Sequence, residues 1–131
     1  MSTHAKPSRR WPQLLALAEA EVKATLDALP KELQAQARKL PVTYEPRPNA
    51  MLMDDGIDED TLGLFIGEEW SVSEAGNTSL PPQIILFLEN LWDFADRHED
   101  IYLDEVHTTL LHELGHYLGL DEGDLETRGL G

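Results

Sequence analysis

Leu15, Ala18, Val22, Leu26 and Leu29 recur every three or four residues, with Glu and Lys between them, and so predict an amphipathic helix. Pro12 suits its first turn and Pro30 stops it. Pro30 also opens a second helix, from Lys31 to about Leu40, whose stripe is Leu33, Ala37 and Leu40; Pro41 closes it. Val42 to Glu45 is a short β-prone run that Pro46 and Pro48 confine to a sheet edge or strand end. Leu62 to Gly67 is strand-like, Ser71 to Pro82 reads as a loop, and Ile84 to Leu88 is a continuous apolar run suited to a strand buried on both faces. Leu91, Trp92, Phe94 and Ala95 suggest a helical turn or a buried loop. Leu103, Val106, Leu110, Leu114 and Leu118 then mark a last helix over residues 101–118, with Gly119 just past its end. No repeat or linker interrupts the pattern. One α+β domain over residues 11–131 is expected, preceded by a flexible tail at residues 1–10.

A length of 131 residues fits one domain, and the absence of Cys excludes disulfide scaffolds, thiolate metal sites and Cys nucleophiles. The net charge of −15 is unevenly spread. Residues 1–53 hold eight Lys/Arg against five Asp/Glu, whereas residues 54–131 hold two Arg against twenty Asp/Glu. Such a chain is poorly suited to nucleic acid or to an anionic membrane by bulk charge. The acidic half is either a solvating face or a field that attracts cations. No segment approaches the ~18 apolar residues of a membrane span. Arg9-Arg10 before Leu14 to Ala18 has the look of a twin-arginine signal, but Pro12, Gln13, Glu19 and Glu21 cut the apolar run short. A cytoplasmic monomer is the expectation.

Residues 49–60 carry Asp54, Asp55, Gly56, Asp58, Glu59 and Asp60. They lack the order of a calcium-binding loop, and position 62 is Leu where that loop needs Glu, so a solvated acidic loop is expected.

The chemistry concentrates in the last helix, at His112-Glu113-Leu114-Gly115-His116, an H-E-x-x-H motif. Residues four apart stack one turn above each other, so His112 and His116 can aim ring nitrogens at one point. Zinc accepts His nitrogen at ~2.0–2.1 Å, and a catalytic zinc keeps one position for water. Glu113 sits about 100° around the helix from His112, near a metal without being forced to ligate it. That suits a general base. A bare motif of this kind arises by chance in some chains; its place on an apolar-striped helix argues against chance here. Gly115 inside the helix costs roughly 0.8–1 kcal/mol relative to Ala, which close approach of another segment would explain.

A third protein ligand is needed. In the metzincin pattern H-E-x-x-H-x-x-G-x-x-H a Gly turns the chain back. Gly119 stands at that position, and Glu122 replaces the final His. Carboxylate oxygen ligates zinc at ~2.0–2.2 Å, so Glu122 is the third ligand by position, with Asp121 and Asp124 as alternatives.

The run from Val106 to Glu126, the strand-like Leu62-Gly63-Leu64-Phe65, and Pro81-Pro82-Gln83-Ile84-Ile85-Leu86-Phe87 together resemble the small bacterial minimal-zincin metallopeptidases. The Pro-bounded helical start through Val42 to Pro46 is similar too, so the resemblance covers roughly residues 12–131. It implies a compact α+β fold, the minimal zincin fold, with a small antiparallel or mixed sheet packed with helices, and one zinc. Members often have Asp at the tenth motif position, where this chain has the longer Glu122.

Other residues fit less well. His107 lies about 140° from His112 around the helix, and His98 and His4 have no partner spacing. Tyr117 is a candidate to lend its phenol to a tetrahedral intermediate, with plain packing as the other reading. Met51 and Met53 precede the motif and read as core or loop packing; Trp70 and Trp92 read as core or pocket wall. The leading expectation is a zinc-dependent peptidase acting on a peptide or protein substrate, which one of the two apolar strands could hold by strand addition. The alternative is a zinc-stabilised domain that binds a partner peptide without cleaving it. A zincin-like nuclease is disfavoured by the acidic surroundings of the motif.

Overall fold

A computed structural model describes residues 8–67 and 82–119. Its elements run α1 (Trp11–Asp27), α2 (Lys31–Ala37), β1 (Val42–Glu45), α3 (Ala50–Asp54), β2 (Gly63–Ile66), β3 (Gln83–Phe87), α4 (Leu88–Phe94) and α5 (Glu99–Leu118). This is an α+β fold with a small mixed sheet, as a minimal zincin requires. The strand order is β1-β3-β2. β1 runs parallel to β3, with Val42 opposite Ile84. β2 runs antiparallel to it, with Gly63 opposite Leu86.

The hydrophobic pattern explains this order. β3 is flanked on both sides, and Ile84, Leu86 and Phe87 are wholly buried. The proline-bounded β1 takes one edge and β2 the other. β3 passes straight into α4, so Leu88 belongs to the helix, and the stretch from Leu91 to Phe94 is helix throughout.

α5 is the central element: it packs on α1, on α4, and on β2 and β3. Its predicted stripe is the face that does so, since Val106, Leu110 and Leu114 are buried against Leu14, Ala18 and Val22 of α1 and the sheet. Burying a Leu or Val side chain stabilises by about 1.5–3 kcal/mol. Leu110→Ala would cost about 2–5 kcal/mol, because a cavity remains as well. Tyr102 lies deep in this core, edge-on to Trp92 with centroids 5.6 Å apart, and its hydroxyl donates to the Leu14 carbonyl at 2.9 Å.

Three expectations need correction. α2 ends at Ala37, and turns carry the chain to buried Leu40. Residues 49–60 are not all loop. Asn49 accepts the Leu52 amide at 2.9 Å and so caps the five-residue α3, a cap that the surrounding acidic residues obscured. Asp54 to Asp60 are exposed apart from half-buried Ile57, as a solvated acidic segment should be. Met51 and Met53 are exposed rather than packed, because so short a helix turns only Leu52 partly inward. Of the expected tail, Ser8 to Arg10 are described: the Ser8 amide donates to Glu89, and Arg10 lies over the Trp92 ring. No helix among the described residues is long and apolar enough to cross a membrane.

Candidate metal centre

α5 starts with Glu99 and Asp100 in its first turn, where the helix dipole favours negative charge. It ends at Gly119, whose φ of 71° is the left-handed conformation that favours glycine. The motif therefore occupies the last two turns of the helix. Asp121, Glu122 and Asp124 lie outside the described residues, as do Trp70, His4 and residues 71–81 of the expected loop.

Within the motif the spacing acts as helical geometry demands. The imidazoles of His112 and His116 lie 4.7 Å apart between centroids, at 63° to each other. Both residues are exposed, whereas Glu113 is 7% exposed. Its Oε1 is 3.2 Å from Nδ1 of His116. One donor atom from each of the three residues falls within a sphere of mutual distances of 4.8 Å or less. Two imidazole nitrogens bound tetrahedrally to zinc stand about 3.4 Å apart, given Zn–N lengths of ~2.0–2.1 Å. The donor set is thus of the right kind, and its atoms are close enough together, to be offered to one such ion.

The surroundings of Glu113 come from β2. A Cβ at Gly63 would lie 2.5 Å from Cγ2 of Thr109 and 3.5 Å from Cγ of Glu113. Only glycine lets the strand run this close to the helix. Two residues further along, Phe65 meets Tyr117, with ring centroids 5.9 Å apart, and Tyr117 is 4% exposed. β2 thus tracks the last turns of α5, and its outer edge pairs with no strand among the described residues. Gly63 was not singled out from sequence; a glycine inside an apolar strand run was the available signal.

A family model for zincin-like metallopeptidases matches residues 37–130. The chain belongs to the zincin-like metallopeptidase family. Membership implies a metal, typically zinc, and a peptidase class of activity. No curated protein matches the chain. The match spans the sheet, the motif helix and the acidic residues after it. α1 precedes the matched segment, yet it covers one face of the family's motif helix.

His107 is directed elsewhere: its Nδ1 is 2.8 Å from the Thr25 hydroxyl and 3.8 Å from Glu21, both on α1. It joins two helices and stands apart from the motif histidines, as its angular position predicts. Trp92 is core, 9% exposed, and also forms part of a cavity wall at the other end of the helix.

Proposed function

We propose that this chain is a zinc-dependent peptidase in which His112, His116 and Glu122 hold the metal and Glu113 is the general base. The observation that carries the reading is the contrast within the motif: a buried carboxylate set between two exposed imidazoles, beside a strand edge that pairs with no other strand among the described residues. Zinc bound there supplies Lewis acidity and lowers the pKa of water toward ~7. Glu113 then accepts a proton from the attacking water on a carboxylate oxygen and returns it to the leaving amine nitrogen. Burial under Gly63 limits the rotamers of Glu113 and keeps that oxygen directed at its target.

The substrate backbone is held by the outer edge of β2 through main-chain hydrogen bonds. β3 is unsuited to this, since β1 and β2 already occupy both its edges. Tyr117 remains the candidate phenol. A Tyr117→Phe enzyme with lower kcat and unchanged melting temperature supports that part, whereas an unchanged kcat leaves the ring to packing.

The deciding test is digestion of a denatured protein mixture by the parent chain, with and without chelator, beside Glu113→Gln. Cleavage that chelator and Glu113→Gln each abolish supports the reading. Zinc-loaded parent that cleaves nothing favours the alternative of a zinc-stabilised peptide-binding domain. For the third ligand, Glu122→Ala should weaken zinc in chelator competition more than Asp121→Ala or Asp124→Ala. Glu122→Asp or Glu122→His should retain part of it, because both can donate to zinc.

A further inference from the structure

A cavity of about 360 Å³ lies at the opposite end of α5 from the motif. Glu99 and His112 are thirteen residues apart on that helix, or about 20 Å at 1.5 Å per residue. The cavity wall gathers Arg9, Arg10, Arg47 and Arg97, four of the six arginines in a chain of net charge −15. Three of them come from the basic N-terminal stretch, and the fold folds that stretch back onto α4.

The carboxylates on the wall are already engaged. Asp93 takes Arg47 at 3.1 Å and lies 3.7 Å from Arg97. Glu89 accepts the Ser8 amide and lies 3.8 Å from Arg47. Asn90 accepts from Arg47 at 2.7 Å and fixes its guanidinium. Arg9 has no carboxylate partner among the described residues, and Arg10 lies over the indole of Trp92 at 5.4 Å. Four guanidinium groups against two carboxylates leave the wall with two uncompensated positive charges. Arg97 is held there at φ 62°, next to Asp96 at φ 53°, a left-handed pair that a folded chain keeps only where its surroundings enforce it.

We propose that this cavity is a second ligand site, for a small oxyanion: the phosphate or carboxylate group of a low-molecular-weight ligand. Guanidinium forks match planar and tetrahedral oxyanions in charge and geometry. The volume is at the small end of ligand pockets, which suits a compact anion rather than a polymer. The negative charge of the chain does not forbid it. Screening over ~8 Å at physiological salt leaves the nearby arginines to decide the local field.

The test is calorimetric titration of the full-length chain with inorganic phosphate and, separately, succinate, against sodium chloride at matched ionic strength. Saturable binding of one anion per chain is expected, and the tighter of the two probes identifies the group recognised. Arg9→Gln and Arg10→Gln should each weaken it about tenfold, the effect of one charge-assisted hydrogen bond, with zinc content unchanged. Arg38→Gln, at a surface ion pair with Asp27, should leave it intact. Phosphate can also bind a metal, so the titration is repeated with His112→Ala. Binding that persists in His112→Ala and falls in the arginine variants supports the site whether or not the chain is a peptidase. Absence of saturation up to about 20 mM of both anions, equal affinity in Arg9→Gln and Arg10→Gln, or loss in His112→Ala alone would each overturn it.

Discussion

The two ends of α5 solve opposite problems. At the C-terminal end, two exposed imidazoles and one buried carboxylate converge, and β2 runs close against the carboxylate. At the N-terminal end, polar groups are tied to partners from several segments. Asn90 donates to the carbonyls of Glu59 and Thr61 at 2.8 and 2.9 Å and accepts from Arg47, while Tyr102 bonds Leu14. The C-terminal end therefore brings three possible metal donors together, whereas at the N-terminal end Asn90 and Tyr102 tie α1, α4 and α5 to the segments around them, and the arginine-lined cavity lies beside that framework. Chemistry should be lost by substitution at the first end, and stability at the second.

The largest expected effect is at the motif. The parent should carry close to one zinc per chain by elemental analysis. His112→Ala and His116→Ala should each weaken zinc by more than about 100-fold, since even supporting residues of metal sites are worth 10–100-fold. Full zinc in both variants would falsify the site. Glu113→Gln comes next: it should keep its zinc and lose about 10²–10⁴ in kcat, the range of general-base catalysis. A variant as active as the parent would remove Glu113 from the chemistry.

Asn90→Ala sharpens the contrast from the other end. It removes the three hydrogen bonds of a buried side chain, so chemical denaturation should show a loss of about 1–3 kcal/mol with zinc content unchanged. A large loss of zinc would mean that the two ends are not separable. Gly63→Ala tests the place where the sheet meets the motif. Its new methyl collides with Thr109, and overpacking of this kind costs about 1–3 kcal/mol. Thr109→Ser removes the opposing methyl and should recover most of that stability in the double variant. No recovery would show that the tight contact is not what glycine serves at this position.

The smallest effect concerns Tyr102. Burial, and then nearby Tyr44, push its hydroxyl well above the usual tyrosine value of 10, while burial and Glu19 raise Tyr44 to about 12. Groups raised in the folded state contribute stability that is complete below the unfolded value and is lost as pH rises through the folded one. Tyr102→Phe should cost about 0.5–1.5 kcal/mol at neutral pH, and the gap to the parent should narrow above about pH 10. A gap that stays constant to pH 12 would remove this hydroxyl from the alkaline transition.

Particular residues mark how far local pattern reaches. The spacing of Leu103 to Leu118 and the placement of Gly119 located α5 and its end to within two residues. The apolar run at Ile84 located the buried strand, and the prolines around Val42 located an edge. Asn49 and the short α3 were missed, because a single cap among acidic residues is a weak signal. Met51 and Met53 were misplaced, because hydrophobicity alone does not say which way one helical turn faces.

The sequence by itself determined the motif geometry. Helical pitch fixes how His112, Glu113 and His116 stand relative to one another whatever surrounds them. The tertiary structure decided what those residues meet. It set β2 rather than β3 at the sheet edge, laid Gly63 against Thr109 and Glu113, and gathered Arg9, Arg10, Arg47 and Arg97 around one cavity. The physical reason is range. Spacing within one helix depends on local backbone geometry, whereas strand order and a wall built from positions 9 to 97 depend on which distant segments bury surface together.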